Sequence, residues 1–300
     1  MNATVYFRGS LSSCNYDCPY CPFSKNIDSR ETLAKDRLQV QTFVNWVRNQ
    51  AKNGHRLSVF FNPYGEGLTH RWYREAMIEL SHMPHVRKVA IQTNLFANLD
   101  WTAELNPATA AFWATYHPGQ TQEARFLRQC RELYGRKIPF SVGCVGVKSA
   151  FGPISSIREA LPEEVYLWVN AFKDQADYYS DEDLAFLTRM DPHFALNAQN
   201  YDSLGRSCRA GQQVFYVQGD GRVKHCYKDR QVIGNLYRDG LEGIAQERPC
   251  RMKQCDCYIG YIHMEGQPFE SVYGVRVLER IALLQRGSRS WDCAHWPGQE

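Results

Sequence analysis

Apolar positions in the first 170 residues follow two alternating periods. Short β-branched or aromatic runs at residues 5–8, 57–61, 88–93, 112–116, 139–145 and 165–170 read as strands. Between them, residues 37–53, 72–82, 122–134 and 154–161 place apolar side chains three or four apart, the spacing of one helical face. Alternating strands and helices build βα units around a parallel sheet. Six such units predict an α/β fold, a partial (β/α)6 barrel of TIM-like type.

A further helix is expected over residues 181–190, stopped at Asp191-Pro192 because proline disfavours helical geometry in the residue before it. The pattern then changes. Residues 214–217 and 222–226 flank Gly219-Asp220-Gly221, a β-hairpin signal, and a short helix is expected near 241–246. The expected organisation is a barrel over 1–202, a small β-hairpin and helix domain over 203–265, and a tail over 266–300. In that tail an amphipathic helix at 275–284 is expected to pack back on the barrel.

Composition narrows the function class. Hydrophobic residues make up 44% and charged residues 22% of 300, ordinary for a globular chain, without repeats or low-complexity tracts. The 35 basic and 32 acidic residues are scattered, so no basic run points to a nucleic-acid partner. No apolar run approaches the roughly 18 residues of a membrane span, and the opening MNATVYFRGS lacks a signal-peptide core, so a cytoplasmic protein with no membrane partner is expected. In a reducing compartment disulfides are disfavoured, and eleven cysteines in groups point to metal.

Cys14, Cys18 and Cys21 follow the first strand directly, at the strand end where barrel folds place active sites. Three thiolates can hold three irons of a four-iron cluster and leave the fourth open. Structural zinc is the alternative, but it needs a fourth ligand, and the nearest histidine is His55, beyond a predicted helix. The C-x3-C-x2-C spacing, with Tyr20 before the last cysteine, resembles the signature of the radical S-adenosylmethionine (SAM) superfamily. That resemblance implies a [4Fe-4S] cluster whose open iron binds SAM and whose reduction, by a flavodoxin or ferredoxin-type donor, yields a 5'-deoxyadenosyl radical. Asn62-Pro63-Tyr64-Gly65-Glu66-Gly67, after the second strand, resembles the family's Gly-Gly-Glu motif with Tyr64 in place of the first glycine. The resemblance gives Tyr64, Gly65 and Glu66 to SAM, and likewise Thr93 and Asn94 at the end of strand three. Each of these sites also reads as an ordinary turn or cap. Gly143-Cys144-Val145-Gly146 only loosely echoes the family's adenine-contact element.

His117, Asn170 and Lys173 sit at later strand ends on the same predicted rim and are candidate substrate residues, although a surface role without chemistry is the commoner outcome. Cys130 and Cys144 are isolated and read as small buried hydrophobes. Cys208 and Cys226 bracket the predicted hairpin, and Cys250, Cys255 and Cys257 follow. The arrangement resembles the SPASM and Twitch appendages of radical SAM enzymes and implies one auxiliary [4Fe-4S] cluster held by four of these five. Even with Cys293 the count falls short of the seven or so needed for two, and a zinc ribbon is the alternative. The expected activity is hydrogen abstraction followed by oxidation through the auxiliary cluster. A chain opening almost at once on strand one tilts the expected substrate toward a small polar molecule, with a ribosomal precursor peptide as the alternative. A non-catalytic iron-sulfur or zinc scaffold is the rival from another class.

Overall fold

A computed structural model describes residues 1–24, 26–229, 231–283 and 296. Strands β1 (Asn2–Arg8), β2 (Arg56–Phe61), β3 (Val86–Thr93), β4 (Ala110–Thr115), β5 (Phe140–Val145) and β6 (Leu167–Asn170) pair in sequence order, all parallel. Helices α1 (Arg30–Asn49), α2 (Arg71–Ser81), α3 (Glu123–Gly135) and α4 (Phe151–Ala160) make four of the crossovers, and a 3-10 turn at Asp100–Glu104 makes the fifth. The fold is the expected α/β partial barrel. Helices α5 (Asp181–Met190) and α6 (Phe194–Ala198) lead to β7 (Tyr201–Asp202).

The hairpin predicted downstream exists as β8 (Val214–Gln218) and β9 (Arg222–Lys224), and β10 (Val232–Asn235) extends it. It joins the main sheet. Strand β8 lies parallel to β1, giving the order β10-β9-β8-β1-β2-β3-β4-β5-β6. Helix α7 (Leu236–Ile244) follows, then β11 (Gln254–Cys255) against β7, then α8 (Phe269–Tyr273).

One alternation runs through every strand. Val5, Phe7, Val59, Phe61, Val89, Ile91, Phe112, Val142, Val169 and Phe215 face the helices, while Tyr6, Phe60, Ala90, Trp113, Trp168 and Tyr216 face the interior. Since side chains alternate faces, Arg8, Gln92 and Asn170 fall on the inner face at the C-terminal strand ends. Below them the interior is filled by aromatic rings that each bury roughly 150–250 Å². The polar inner-face positions are thereby gathered at the upper rim, the end where barrel folds place active sites.

Residues 277–282 close the lower end, with Leu278, Ile281 and Ala282 buried. They do not form the expected helix over 275–284. A 3-10 turn at Gly274–Arg276 gives way to irregular turns, and Arg280 takes a left-handed φ of 54°. A helix would turn neighbouring side chains roughly 100° apart, yet here two adjacent ones go inward. Glu279 pairs with Lys88 at 3.0 Å, and Arg280 lies 5.1 Å from the Trp113 ring. Leu284 and Cys293 lie outside the described residues.

Asp191 ties α5 to β6. Its carboxylate accepts from Tyr166 Oη at 2.6 Å, Val169 N at 3.0 Å and His193 N at 2.9 Å. Burial outweighs these bonds and pushes its pKa up from 3.8 to about 6. The folded state therefore holds a proton that the unfolded chain releases between about pH 4 and about pH 6. Stability is expected to fall as pH rises through that window. Asp191→Asn is expected to remove this part of the slope, on the order of 3 kcal/mol, in denaturant titrations across the window.

Candidate active site

The loop between β1 and α1 carries Cys14, Cys18 and Cys21, and two carboxylates hold its shape. Asp28 accepts from the backbone N of Ser12 and Ser13 at 2.7 and 2.8 Å and from their hydroxyls at 2.6 and 3.0 Å. Asp36, buried on α1, accepts from Leu11 N at 2.9 Å and Trp72 Nε1 at 2.8 Å. Ser29 caps α1 by accepting from Thr32 N.

The Tyr64-Gly65-Glu66 turn docks directly on this loop. Ser24 Oγ is within bonding distance of Ser12 O (2.9 Å) and Tyr64 O (3.0 Å), and Glu66 N donates to Ser13 O at 3.2 Å. A Cβ on Gly65 would stand 1.8 Å from Ser13 O, so only glycine allows this approach. The Glu66 carboxylate is buried and accepts from Leu68 N at 3.0 Å, Thr93 Oγ1 at 2.7 Å and Asn94 N at 2.6 Å. Burial raises its pKa against the pull of these bonds. Glu66 thus clamps the end of β3 to the turn. Asn94 Nδ2 in turn reaches Asn15 Oδ1 at 3.0 Å and the Cys14 sulfur at 3.7 Å. Burial also raises the Cys14 thiol, with Glu66 and Cys21 adding to the effect.

His117, a substrate candidate by sequence, packs on the cysteine loop. Its Nδ1 lies 2.9 Å from Tyr20 Oη and 3.4 Å from Cys18 Sγ, and its ring stacks on Tyr20. Burial lowers its pKa to about 4, so the ring is neutral near pH 7. Gln120 accepts from Asp17 N at 2.9 Å and braces the same loop. Asn170 ends β6 on the inner face, its carbonyl accepting from Gly146 N at 2.8 Å. Lys173 donates to Gln199 O at 2.7 Å. Burial lowers its pKa to about 8, while Asp256, Cys255 and Cys257 pull the other way, which groups it with the C-terminal cysteines. Cys130 and Cys144 are fully buried between α3 and β5.

Cys208, Cys226, Cys250, Cys255 and Cys257 come together from separate segments. Burial raises the Cys208 thiol to about 11 and Cys226 to about 12, and it raises Cys255 further, where the other four thiols all add. Cys208 and Cys255 are buried and the other three are half-buried, a grouping of thiols that suits a metal cluster. Among the described residues, no three or more His, Cys, Asp or Glu side chains converge closely enough to share one metal ion. The ligands of a four-iron cluster each bind a separate iron.

Sequence reasoning missed the residues between the two thiol groups. Phe23, two residues past Cys21, packs 4.8 Å from the Tyr64 ring. The Arg8 guanidinium lies 4.0 Å from the Tyr64 ring centroid and 3.8 Å from that of Tyr227, next to Cys226. Arg8 Nε donates to Asn62 O at 2.9 Å, and Tyr227 Oη donates to Asn62 Oδ1 at 2.8 Å. The parity of β1 puts Arg8 on the inner face, which was the one available signal.

No protein-family profile matches the chain, and no curated protein matches it by sequence. Solved structures do match. Polyhistidine-tagged anSMEcpe with bound AdoMet aligns at a TM-score of 0.53 and 17% identity, over 81% of this chain and 80% of that one. Native anSMEcpe with bound AdoMet and Cp18Cys peptide aligns at 0.51 and 17% over the same shares. BtrN in complex with AdoMet and 2-DOIA aligns at 0.43 and 15%, over 81% and 82%. A three-cysteine loop at the end of β1, a Gly-Glu turn docked on it, and the two anSMEcpe alignments agree: the chain has the fold of the radical SAM enzymes.

Proposed function

We propose that this protein is a radical SAM enzyme whose C-terminal thiols hold one auxiliary [4Fe-4S] cluster and whose substrate binds at the rim between the two cysteine groups. The observation that carries this reading is the docking of the Tyr64-Gly65-Glu66 turn and Asn94 onto the Cys14 loop, which brings together three motifs from the ends of β1, β2 and β3. Cys14, Cys18 and Cys21 would hold the SAM-binding cluster, with Tyr20, Tyr64, Gly65, Thr93 and Asn94 lining the SAM side. When bound there, such a cluster supplies the electron that splits SAM to a 5'-deoxyadenosyl radical, the hydrogen-abstracting species. Asp28 and Asp36 set the loop's path, Glu66 orients Asn94, and His117 holds Tyr20 over the loop.

The auxiliary group would draw its four ligands from Cys208, Cys226, Cys250, Cys255 and Cys257 and would take up the electron that a substrate radical loses on oxidation. Lys173 and Asn170 stand on the substrate side. A flavodoxin or ferredoxin-type protein is the proposed donor and the cytoplasm the proposed compartment; no described helix is long and apolar enough to cross a membrane. A small polar substrate is the first reading. A precursor peptide is the second, favoured by the peptide seen with anSMEcpe.

Protein purified anaerobically is expected to carry about eight iron per chain. With dithionite and SAM it is expected to form 5'-deoxyadenosine. About four iron per chain would remove the auxiliary cluster, and a fully loaded protein that forms no 5'-deoxyadenosine would favour a scaffold.

A further inference from the structure

Arg8 is only 7% exposed, and no carboxylate among the described residues pairs with it. A buried guanidinium with no carboxylate paired to it is costly. Its surroundings also fix which side stays open. The rings of Tyr64 and Tyr227 both lie against the guanidinium, 4.0 and 3.8 Å from its central carbon, and Nε is tied to Asn62 O. The Nη edge keeps its N–H donors unbonded among the described residues. Asn62, itself buried, holds both the guanidinium and the Tyr227 hydroxyl, so this setting is built before any ligand arrives. That edge belongs to the inner face at the end of β1, between the loop of Cys14, Cys18 and Cys21 and the segment of Cys226 and Cys257.

We propose that Arg8 is a substrate-binding residue that takes an oxyanion, a carboxylate or phosphate group of the substrate, in bidentate fashion on its Nη edge. A guanidinium held against two rings, with Nε already bonded, offers two parallel donors in one plane on its Nη edge, the geometry that matches such groups. The handle would hold one end of the substrate between the two cysteine groups. Its meaning as a substrate handle rests on the function proposed above, but oxyanion binding itself requires neither SAM nor turnover.

The test uses wild-type protein carrying its clusters, titrated anaerobically with inorganic phosphate and separately with acetate against chloride at matched ionic strength. Thermal stability reads the binding, because a ligand of the native state alone stabilises it in proportion to the logarithm of saturation. Saturable stabilisation by phosphate, by acetate or by both is expected, and the arm that responds identifies the group. Arg8→Gln is expected to weaken that binding about tenfold or more, and Arg8→Lys, which keeps charge but loses the fork, by a smaller factor. No stabilisation beyond chloride in either arm overturns the proposal, as does wild-type affinity in both variants.

Should Arg8→Gln fail to load its clusters, wild-type crystals soaked in selenate and in 4-bromobenzoate replace it. An anomalous peak beside the Nη atoms supports the proposal, and peaks only elsewhere refute it. A variant that shifts the reduction potential of the C-terminal cluster while keeping oxyanion affinity would make Arg8 a charge partner of that cluster and sink the substrate role. Absence of 5'-deoxyadenosine from the wild-type protein would count against the enzymatic reading alone.

Discussion

Cys18→Ser is expected to abolish 5'-deoxyadenosine formation and to remove about four of about eight irons per chain, leaving the iron of the C-terminal group in place. Cys18 is almost fully buried, with its sulfur against His117. A serine oxygen fits the space but is a poor ligand for iron that prefers thiolate. Because the C-terminal thiols gather from residues 208–257 and share no ligand with the first loop, loss should be confined to one site. Iron analysis together with product assay by chromatography checks both halves. Full iron content with wild-type cleavage in this variant would show that the first cysteine trio is not the cluster site.

Gly65→Ala is the second large effect, and it comes from packing. The added methyl would meet Ser13 O at 1.8 Å and Ser13 C at 2.6 Å, and both are backbone atoms held by Asp28 and Glu66. Neither partner can rotate away as a side chain would. The turn and the cysteine loop are therefore expected to separate, with loss of the SAM-site iron and of about 3 kcal/mol or more of stability. Gly152→Ala is the matched control, since nothing lies within 4 Å of its added methyl. It should change stability by no more than about 1 kcal/mol. Denaturant unfolding and iron content of the two variants, measured side by side, decide the matter.

Much of the barrel is legible because its strands are buried on both faces and read as continuous apolar runs, as in β2 (RLSVFF) and β5 (FSVGCV). Helix α1 begins seven residues earlier than expected, at Arg30 rather than Arg37. Its first turns are polar, and the start is set by the Ser29 cap, which apolar spacing does not register. No strand is expected at Val232–Asn235 from the sequence, since the segment is short and mostly outside the core. The tail misleads because Leu278 and Ile281 have helical spacing, while the buried Glu279 and Arg280 find partners on β3 and β4 that lie far away in sequence.

The same limit applies to the site. Motif spacing points to Cys14, Cys18, Cys21 and the Gly65-Glu66 turn because their chemistry is local. The contacts that give other residues their place span 99 residues from Cys18 to His117 and 165 from Asn62 to Tyr227. Arg8 carries no motif, and only the strand's alternation together with two distant tyrosines reveals its setting.

The pairing of β1 with β8 has a consequence for how the chain is made. Strand β1 lies inside the nine-stranded sheet, and the neighbour for one of its edges is written more than two hundred residues later. At synthesis rates of about 5–20 residues per second, that edge waits on the order of 10–40 s for its partner. During this interval the nascent chain offers an open template for pairing with other polypeptides. The Arg8 flank at one end of that strand would be completed only once Tyr227 emerges, so the part of the rim between the two cysteine groups cannot be assembled from the amino-terminal portion alone.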